Sequence, residues 1–290
     1  MEPLSGFTMM HEHMHLDLSV VKGDPDTCLD CFEQTLAELK DLRAKGVTRI
    51  LEVTNVGMGR DLDWIARLEQ ASGVRIVRST GFYKEPFIPA IEATQSVEAM
   101  AAMMIDDLRS GRAEVIGEIG TSKNEWRPSE RHVFEAAVLA HKATGAPITT
   151  HTTLSTLALE QAGFLVERGV EPDRVIIGHM DLGGDLDAVL DVLALGVNVG
   201  FDTIGKTNYL PDERRVAMLL ELELERKGLI DHVVLSQDIT RKSQLKEFGG
   251  KGYAYLVDTF VPMLRQAHMK EASIQQMLEK TPNRILGGKP

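Results

Sequence analysis

The sequence of 290 residues has few cysteines and no long apolar run. Its two cysteines, Cys28 and Cys31, form one C-x-x-C pair. Without a second pair or a thioredoxin-like context, we interpret them as two reduced thiols in a predicted helix, rather than as a redox pair or half of a zinc site. No stretch approaches the ~20 apolar residues that span a bilayer, and the N-terminus lacks the pattern of a signal peptide. The cytoplasm is therefore the expected location.

Clusters of positive charge are also missing. The formal net charge is −11, the Lys and Arg residues are scattered, and no basic stripe with interleaved aromatics occurs. We therefore do not expect nucleic acid or a membrane as a partner. Gly-rich loops of the G-x-G-x-x-G and G-x-x-x-x-G-K-[ST] types are absent as well, which argues against the commonest open-sheet nucleotide folds.

Eight short apolar, β-branched runs alternate with segments of helical apolar spacing. The predicted strands are residues 7–11, 48–53, 75–80, 114–119, 148–151, 174–178, 197–201 and 233–236. Strands separated by helices run parallel, and eight such units favour a closed (β/α)₈ TIM barrel over an open sheet. Since no linker or repeat interrupts the pattern, we predict a single barrel domain over residues 1–290.

Capping residues predict where several helices begin and end. Thr27 is the expected N-cap of the first helix. Ser129 is the expected N-cap of a helix that stops at Gly145. A third helix is expected to start near Pro211 and to stop at Gly228, because proline suits a first turn and glycine a helix end.

Side chains that can bind metal lie at the ends of five of the eight predicted strands, where barrel enzymes place their chemistry. They are His11 and His13 on the first strand, Glu118 on the fourth, His151 on the fifth, His179 after the sixth and Asp238 after the eighth. Residues two apart on a strand point to the same side, so His11 and His13 can share an ion. Imidazole and carboxylate suit zinc and similar ions. Because six ligands are too many for one ion, the set predicts two ions that share Glu118.

Taken singly, these residues also have simpler interpretations. A lone H-x-H on a strand is weak evidence for metal binding, Glu118 could cap a helix or form a buried ion pair, and His179 could be a core histidine. Two other classes of protein stay open, a one-metal amidohydrolase of the deaminase type and a non-catalytic ligand-binding barrel. Glu118 argues against the first, and the intact set of six ligands argues against the second.

The segments that contain these residues resemble the phosphotriesterase family of the amidohydrolase superfamily, and most closely its bacterial homology-protein branch. The resemblance covers essentially the whole chain. The matching segments are GFTMMHEH at 6–13, GEIGTS at 117–122, THT at 150–152, GHMDL at 178–182, GFDTIGK at 200–206 and LSQDITR at 235–241.

The resemblance implies a role for each ligand. His11, His13 and Asp238 would hold the more buried ion, and His151 with His179 would hold the more exposed one. Two divalent ions, expected to be zinc, would then be bound by each chain.

Glu118 stands where many relatives carry a carboxylated lysine that bridges the ions. A glutamate can bridge directly, and its presence argues against true phosphotriesterase activity. The implied activity is hydrolysis of a carboxylic ester, lactone or phosphoester by a hydroxide held between the ions. Asp238 would accept the proton from this hydroxide.

Loops after the third, seventh and eighth strands are expected to select the substrate. Tyr83 lies where related lactonases have a tyrosine that contacts the bound group. Lys206 and Arg241 would receive an anionic group such as that of a phosphorylated sugar lactone, unless they are solvated loop cations. The expected partner is thus a small-molecule substrate, and the chain is expected to be a monomer or a homodimer.

Overall fold

The computed structural model of the protein describes residues 6–225 and 228–287. Eight parallel strands lie side by side in chain order. They are β1 (Phe7–Glu12), β2 (Val47–Glu52), β3 (Arg75–Thr80), β4 (Val115–Thr121), β5 (Ile148–Thr152), β6 (Val175–Ile177), β7 (Asn198–Phe201) and β8 (Val233–Leu235). The predicted (β/α)₈ TIM-barrel fold is confirmed. The predicted domain, residues 1–290, includes positions outside the described residues and stays a prediction.

Helices follow the strands and cover the barrel. Apart from the four-residue helix Ser19–Lys22, they are α1 (Phe32–Ala44), α2 (Leu62–Ser72), α3 (Val97–Arg109), α4 (Pro128–Thr144), α5 (Ala158–Glu167), α6 (Leu186–Leu193), α7 (Asp212–Glu225), α8 (Val261–Gln266), α9 (Glu271–Gln275) and α10 (Thr281–Leu286). In α6, the Asp185 carboxylate caps the first turn, while Leu186, Val189 and Leu193 are buried in the core. Within the described residues, no helix is both long and apolar enough to cross a membrane.

The predicted start of the first helix is wrong. Thr27 ends a 3₁₀ turn, Pro25–Thr27, in which the Asp24 carboxylate accepts a hydrogen bond from Asp26 N. This local cap closes a separate turn, and α1 begins only after Cys31. Cys28 lies in a short strand, Cys28–Leu29, that pairs antiparallel with Leu16–Asp17. Both cysteines are free, but neither lies inside a helix.

The predicted N-cap of α4 is also wrong by two residues. The helix begins at Pro128, and Arg127 N donates to the Glu130 carboxylate at 3.0 Å. Ser129 Oγ donates instead to Glu85 Oε1 at 2.6 Å. The predicted stop at Gly145 is correct, since this residue adopts the left-handed conformation.

The third predicted helix is α7, which starts directly after Pro211. Glu225 is the last residue assigned to it, and residues 226–227 lie outside the described part of the chain. Gly228, the predicted stop, has a left-handed backbone and precedes a short 3₁₀ segment, Leu229–His232.

The barrel closes where β1 meets β8. Asp238 N donates to the His11 carbonyl at 3.3 Å, and His11 N donates to Ser236 Oγ at 3.0 Å. Among the described residues, this seam shows no regular backbone ladder like those between the other neighbouring strands. The first and last strands are therefore joined partly by side chains.

Candidate metal centre

Strand ends bring the six predicted ligands to one end of the barrel. The backbone conformation at several of these positions is special. Gly117, which precedes Glu118, has φ +121°, and a Cβ atom there would lie 2.1 Å from the Thr149 carbonyl oxygen. Only glycine allows β4 and β5 to approach this closely. His179 and Asp238 adopt left-handed φ values of 58° and 53°, which cost free energy in a non-glycine residue.

Glu118 lies at the centre of the cluster. Its Oε1 is 3.3 Å from His13 Nε2. Its Oε2 is 3.4 Å from His11 Nε2 and 3.3 Å from His151 Nδ1. His179 Nε2 lies 3.8 Å from the same Oε2. The two oxygens of one carboxylate thus face different histidines.

Asp238 joins the same cluster from the segment that follows β8. Its Oδ1 lies 3.3 Å from His13 Nε2 and 3.8 Å from His11 Nε2. The described part of the chain holds two sets of three ligand atoms that lie within 4.8 Å of one another. One set comes from His11, His13 and Asp238, and the other from His11, Glu118 and His179. His151 belongs to neither set, but its Nδ1 is 2.8 Å from His179 Nε2.

Unpartnered polar atoms show that the cluster fits a metal ion. Both ring nitrogens of His11 and Oε2 of Glu118 are buried and have no hydrogen-bond partner among the residues that the structure describes. Buried polar atoms are costly unless they are satisfied, and a cation can satisfy these lone pairs. The mixture of imidazole nitrogens and carboxylate oxygens is one that zinc and similar divalent ions take.

A second layer of hydrogen bonds orients the histidines. Asp202 Oδ1 accepts from His179 N at 2.9 Å and lies 2.7 Å from His179 Nδ1. Thr54 Oγ1 lies 2.7 Å from His13 Nδ1. Sequence reasoning missed Asp202, although its place directly after β7 follows the same strand-end rule that predicted the ligands.

The two carboxylates of the cluster are ionised at neutral pH. Burial disfavours the charge on Glu118, but His11 and hydrogen bonds from neighbouring histidines hold its pKa well below its usual range. Burial also disfavours the charge on Asp238. The charge of Lys206 and a hydrogen bond with His13 outweigh this effect and hold the pKa of Asp238 below its usual range. A negatively charged pair of carboxylates among histidines favours a cation.

Two neighbouring histidines have opposite pKa shifts. Burial alone would lower the pKa of His179, but the Asp202 carboxylate raises it to about 9. Burial and the charge of His179 lower the pKa of His151 to about 4. At pH 7, His151 thus offers a free lone pair, whereas His179 must release a proton before it can bind a metal.

Most of the chain matches one known protein family. The sequence profile described as the Phosphotriesterase family matches residues 3–286. The chain belongs to this family. It is a metal-dependent hydrolase of the phosphotriesterase family with buried His/Asp metal-ligand groups.

Relatives within the phosphotriesterase family match over nearly the full length. The phosphotriesterase homology protein of Escherichia coli is 44% identical over 287 residues, which cover 97% of this chain and 98% of that protein. A crystal structure of the E. coli protein with phosphate in its active site has a TM-score of 0.94 at 43% identity and covers 99% of this chain and 100% of that one. A lactonase from Listeria monocytogenes has a TM-score of 0.92 at 26% identity, with 99% and 96% covered.

A cavity of about 270 Å³ opens above the ligands of this phosphotriesterase-family barrel. It is lined by five of the six predicted ligands, by the three predicted substrate residues and by two lysines that sequence reasoning missed. The ligands are His13, Glu118, His151, His179 and Asp238; the others are Tyr83, Lys206, Arg241, Lys22 and Lys84. His11 lies beneath the cavity wall, fully buried.

The three predicted substrate residues already have partners within the protein. The Tyr83 hydroxyl lies 3.0 Å from His151 Nδ1. Lys206 Nζ donates to Asp238 Oδ2. Arg241 Nη1 donates to Asp24 Oδ2 at 2.5 Å and is 3.5 Å from Asp26 Oδ2. The charges of both predicted cations are thus largely neutralised by the chain itself.

Lys22 and Lys84 differ from them. Their ammonium groups lie 5.9 and 5.6 Å from the centroid of the Phe87 ring. Among the described residues, neither forms an ion pair within 4.0 Å. Lys22 is exposed and Lys84 half-buried at the mouth of the cavity. Lys22 ends a four-residue helix, Ser19–Lys22, and Lys84 lies in a loop, so the strand-end pattern gave no signal for either.

Proposed function

We propose that this phosphotriesterase-family chain is a single-domain hydrolase with two metal ions, which cleaves carboxylic ester, lactone or phosphoester bonds. The observation that carries the proposal is the central place of Glu118. One of its oxygens faces His13 and the other faces His11 and His151. Such a carboxylate can serve two ions at once, which a one-metal site of the deaminase type does not need.

The proposed ligands divide into two groups around Glu118. His11, His13 and Asp238 would hold one ion, and His151 and His179 the other. Zinc is the proposed ion because the donors are mostly imidazole nitrogens. Bound divalent ions lower the pKa of a coordinated water toward neutrality and polarise a carbonyl or phosphoryl oxygen.

Asp238 is the proposed proton acceptor. Its carboxylate lines the cavity, and the Lys206 ammonium beside it keeps its pKa below the usual range. An ionised carboxylate at the cavity wall can take a proton from the attacking group and release it to solvent. Lys206 orients this carboxylate through its hydrogen bond.

The proposed substrate carries a negative charge. Lys22 and Lys84 flank Phe87 at the mouth of the cavity without acidic partners in the described residues. In a chain of net charge −11, two unpaired cations beside one cavity favour an anionic group there. Lys206 and Arg241, which the sequence suggested for this task, are compensated by Asp238 and Asp24.

The first experiment assays metal-loaded protein against lactones, carboxylic esters and phosphoesters, each as a neutral and an anionic compound. Asp238→Asn is the test variant. We expect it to fold and to lower kcat by about 10²–10⁴-fold, the usual contribution of a general base. Metal content is measured in parallel, because Asp238 is also a proposed ligand. Unchanged turnover with metal retained would exclude Asp238 as the proton acceptor.

The second experiment tests the anionic substrate. Lys22→Ala and Lys84→Ala should each raise KM for anionic substrates about tenfold, while KM for the neutral analogues stays the same. Lys40→Ala is the control, since Lys40 is an exposed lysine on α1. Equal effects on neutral and anionic substrates would contradict the proposed anion contact.

A further inference from the structure

We propose that Glu12, which lies between His11 and His13, is a positioning residue that holds Asp238 in place across the seam of the barrel. Successive residues of a strand point to opposite sides, so Glu12 points away from its two neighbours. Its side chain is fully buried, with 0% of its surface exposed. The inference rests on the ligand set of the proposed function.

The Glu12 carboxylate accepts three hydrogen bonds from the segment after β8. Its Oε1 accepts from Ser236 Oγ and from Gln237 N, both at 2.7 Å. Its Oε2 accepts from Ile239 N at 3.1 Å. The two backbone donors lie on either side of Asp238, so the carboxylate brackets this residue.

Residues at the end of β1 thus accept hydrogen bonds from three consecutive backbone N–H groups. Gln237 N and Ile239 N donate to Glu12, and Asp238 N between them donates to the His11 carbonyl. These bonds compensate for the left-handed backbone of Asp238, at φ 53°, which costs free energy in a non-glycine residue. Because the seam has no regular ladder among the described residues, Glu12 supplies the main link there.

This link fixes one proposed ligand relative to two others. Asp238 Oδ1 lies 3.3 Å from His13 Nε2 and 3.8 Å from His11 Nε2, although the residues come from opposite ends of the chain. The same strand that carries the two histidines therefore also positions the carboxylate opposite them. Loss of the bracket should loosen Asp238 without removing any ligand atom.

Glutamine cannot replace Glu12 in this arrangement. Its single carbonyl oxygen can accept from Ser236 and Gln237, but its amide NH₂ would then face Ile239 N–H, which is also a donor. Glu12→Gln therefore breaks the bracket on one side of Asp238 while it preserves the size of the side chain.

Glu130→Gln provides a closely matched control. Glu130 is also fully buried, and its Oε1 accepts from Ser122 Oγ at 2.6 Å and Glu85 N at 3.2 Å. Its Oε2 accepts from Arg127 N at 3.0 Å. The donors are again one serine hydroxyl and two backbone amides, but none of them belongs to a proposed ligand or its neighbours. Any general effect of an amide in a buried carboxylate site should thus be seen in both variants.

The first measurement is amide hydrogen exchange at residues 237–239 in the metal-free protein. We expect exchange to be at least tenfold faster in Glu12→Gln than in the wild type, and unchanged in Glu130→Gln. The second is Co²⁺ affinity by absorption titration, which should fall 10–100-fold in Glu12→Gln alone. On the preferred substrate, kcat should fall while KM changes less than twofold.

Exchange and Co²⁺ affinity that are the same in the two variants would overturn the proposal. If the wild type binds no Co²⁺ and hydrolyses no substrate, the proposed function fails, but the exchange measurement still tests the bracket. If Glu12→Gln does not fold, Ser236→Ala is measured in the same way, because it removes one of the three donors. It should raise exchange at residues 237–239 by a smaller factor, and unchanged exchange would again contradict the role of Glu12.

Discussion

Asp202→Ala tests how the histidines of the centre are held. In the wild type, Asp202 Oδ1 accepts from His179 N and lies 2.7 Å from His179 Nδ1, and Oδ2 lies 3.5 Å from His11 Nδ1. All three residues are at most 2% exposed. Alanine leaves the backbone N–H and the ring nitrogen of His179 without an acceptor, and no ligand atom is removed.

The size of the effect follows from these contacts. A buried donor left without an acceptor costs about 1–3 kcal/mol, so two such groups should lower the free energy of unfolding by about 2–6 kcal/mol. Loss of a residue that orients a metal-binding histidine typically weakens metal binding 10–100-fold. That factor corresponds to about 1.4–2.8 kcal/mol of binding free energy.

The assay combines urea unfolding of the metal-free protein with Co²⁺ titration. Asp107→Ala is the control, because Asp107 is a buried carboxylate that accepts from Thr80 and Arg112 away from the ligands. It should lose stability to a similar extent but bind Co²⁺ as the wild type does. The reasoning fails if Asp202→Ala binds Co²⁺ with wild-type affinity, or if both variants lose affinity equally.

Two further predictions concern stability. Gly178→Ala should lower the free energy of unfolding by about 1–3 kcal/mol, measured by urea unfolding, because its Cβ would lie 2.2 Å from the Thr150 carbonyl oxygen; wild-type stability would show that β5 and β6 can separate. Burial opposes the charge on Asp107, but Thr80 and Arg112 outweigh it and lower its pKa. The folded pKa lies below the unfolded value of about 3.9, so this stabilisation is complete above that pH and is lost as the pH falls through the folded pKa. The stability difference between wild type and Asp107→Asn should therefore shrink below about pH 4, and a difference independent of pH would contradict the argument.

Much of the barrel could be predicted from the sequence, because its strands are short apolar runs between helical segments. The predicted strand 75–80 coincides with β3, and 148–151 differs from β5 by one residue. The helix starts at Thr27 and Ser129 were wrong for a local reason. Carboxylates at Asp24 and Glu130 accept backbone hydrogen bonds there and shift the boundaries, and the apolar pattern does not show this.

Only the part of the candidate site that lies at strand ends could be predicted from the sequence. Parallel strands bring their carboxyl ends together, so the proximity of proposed ligands such as Glu118 and His151 could be predicted without coordinates. The partners of the loop cations depend on how distant loops pack. Lys206 meets Asp238 and Arg241 meets Asp24 only in the folded chain, and sequence spacing could not show that these cations are already paired.

The seam between β1 and β8 also sets an order of events during synthesis. His11 leaves the ribosome well before Asp238, because it precedes Asp238 by more than two hundred residues in the sequence. Until β8 emerges, one edge of β1 has no neighbour, and Glu12 has none of its three donors from the other side of the seam. We therefore expect the metal centre to be completed last, by the same contact that covers the open edge of the nascent sheet.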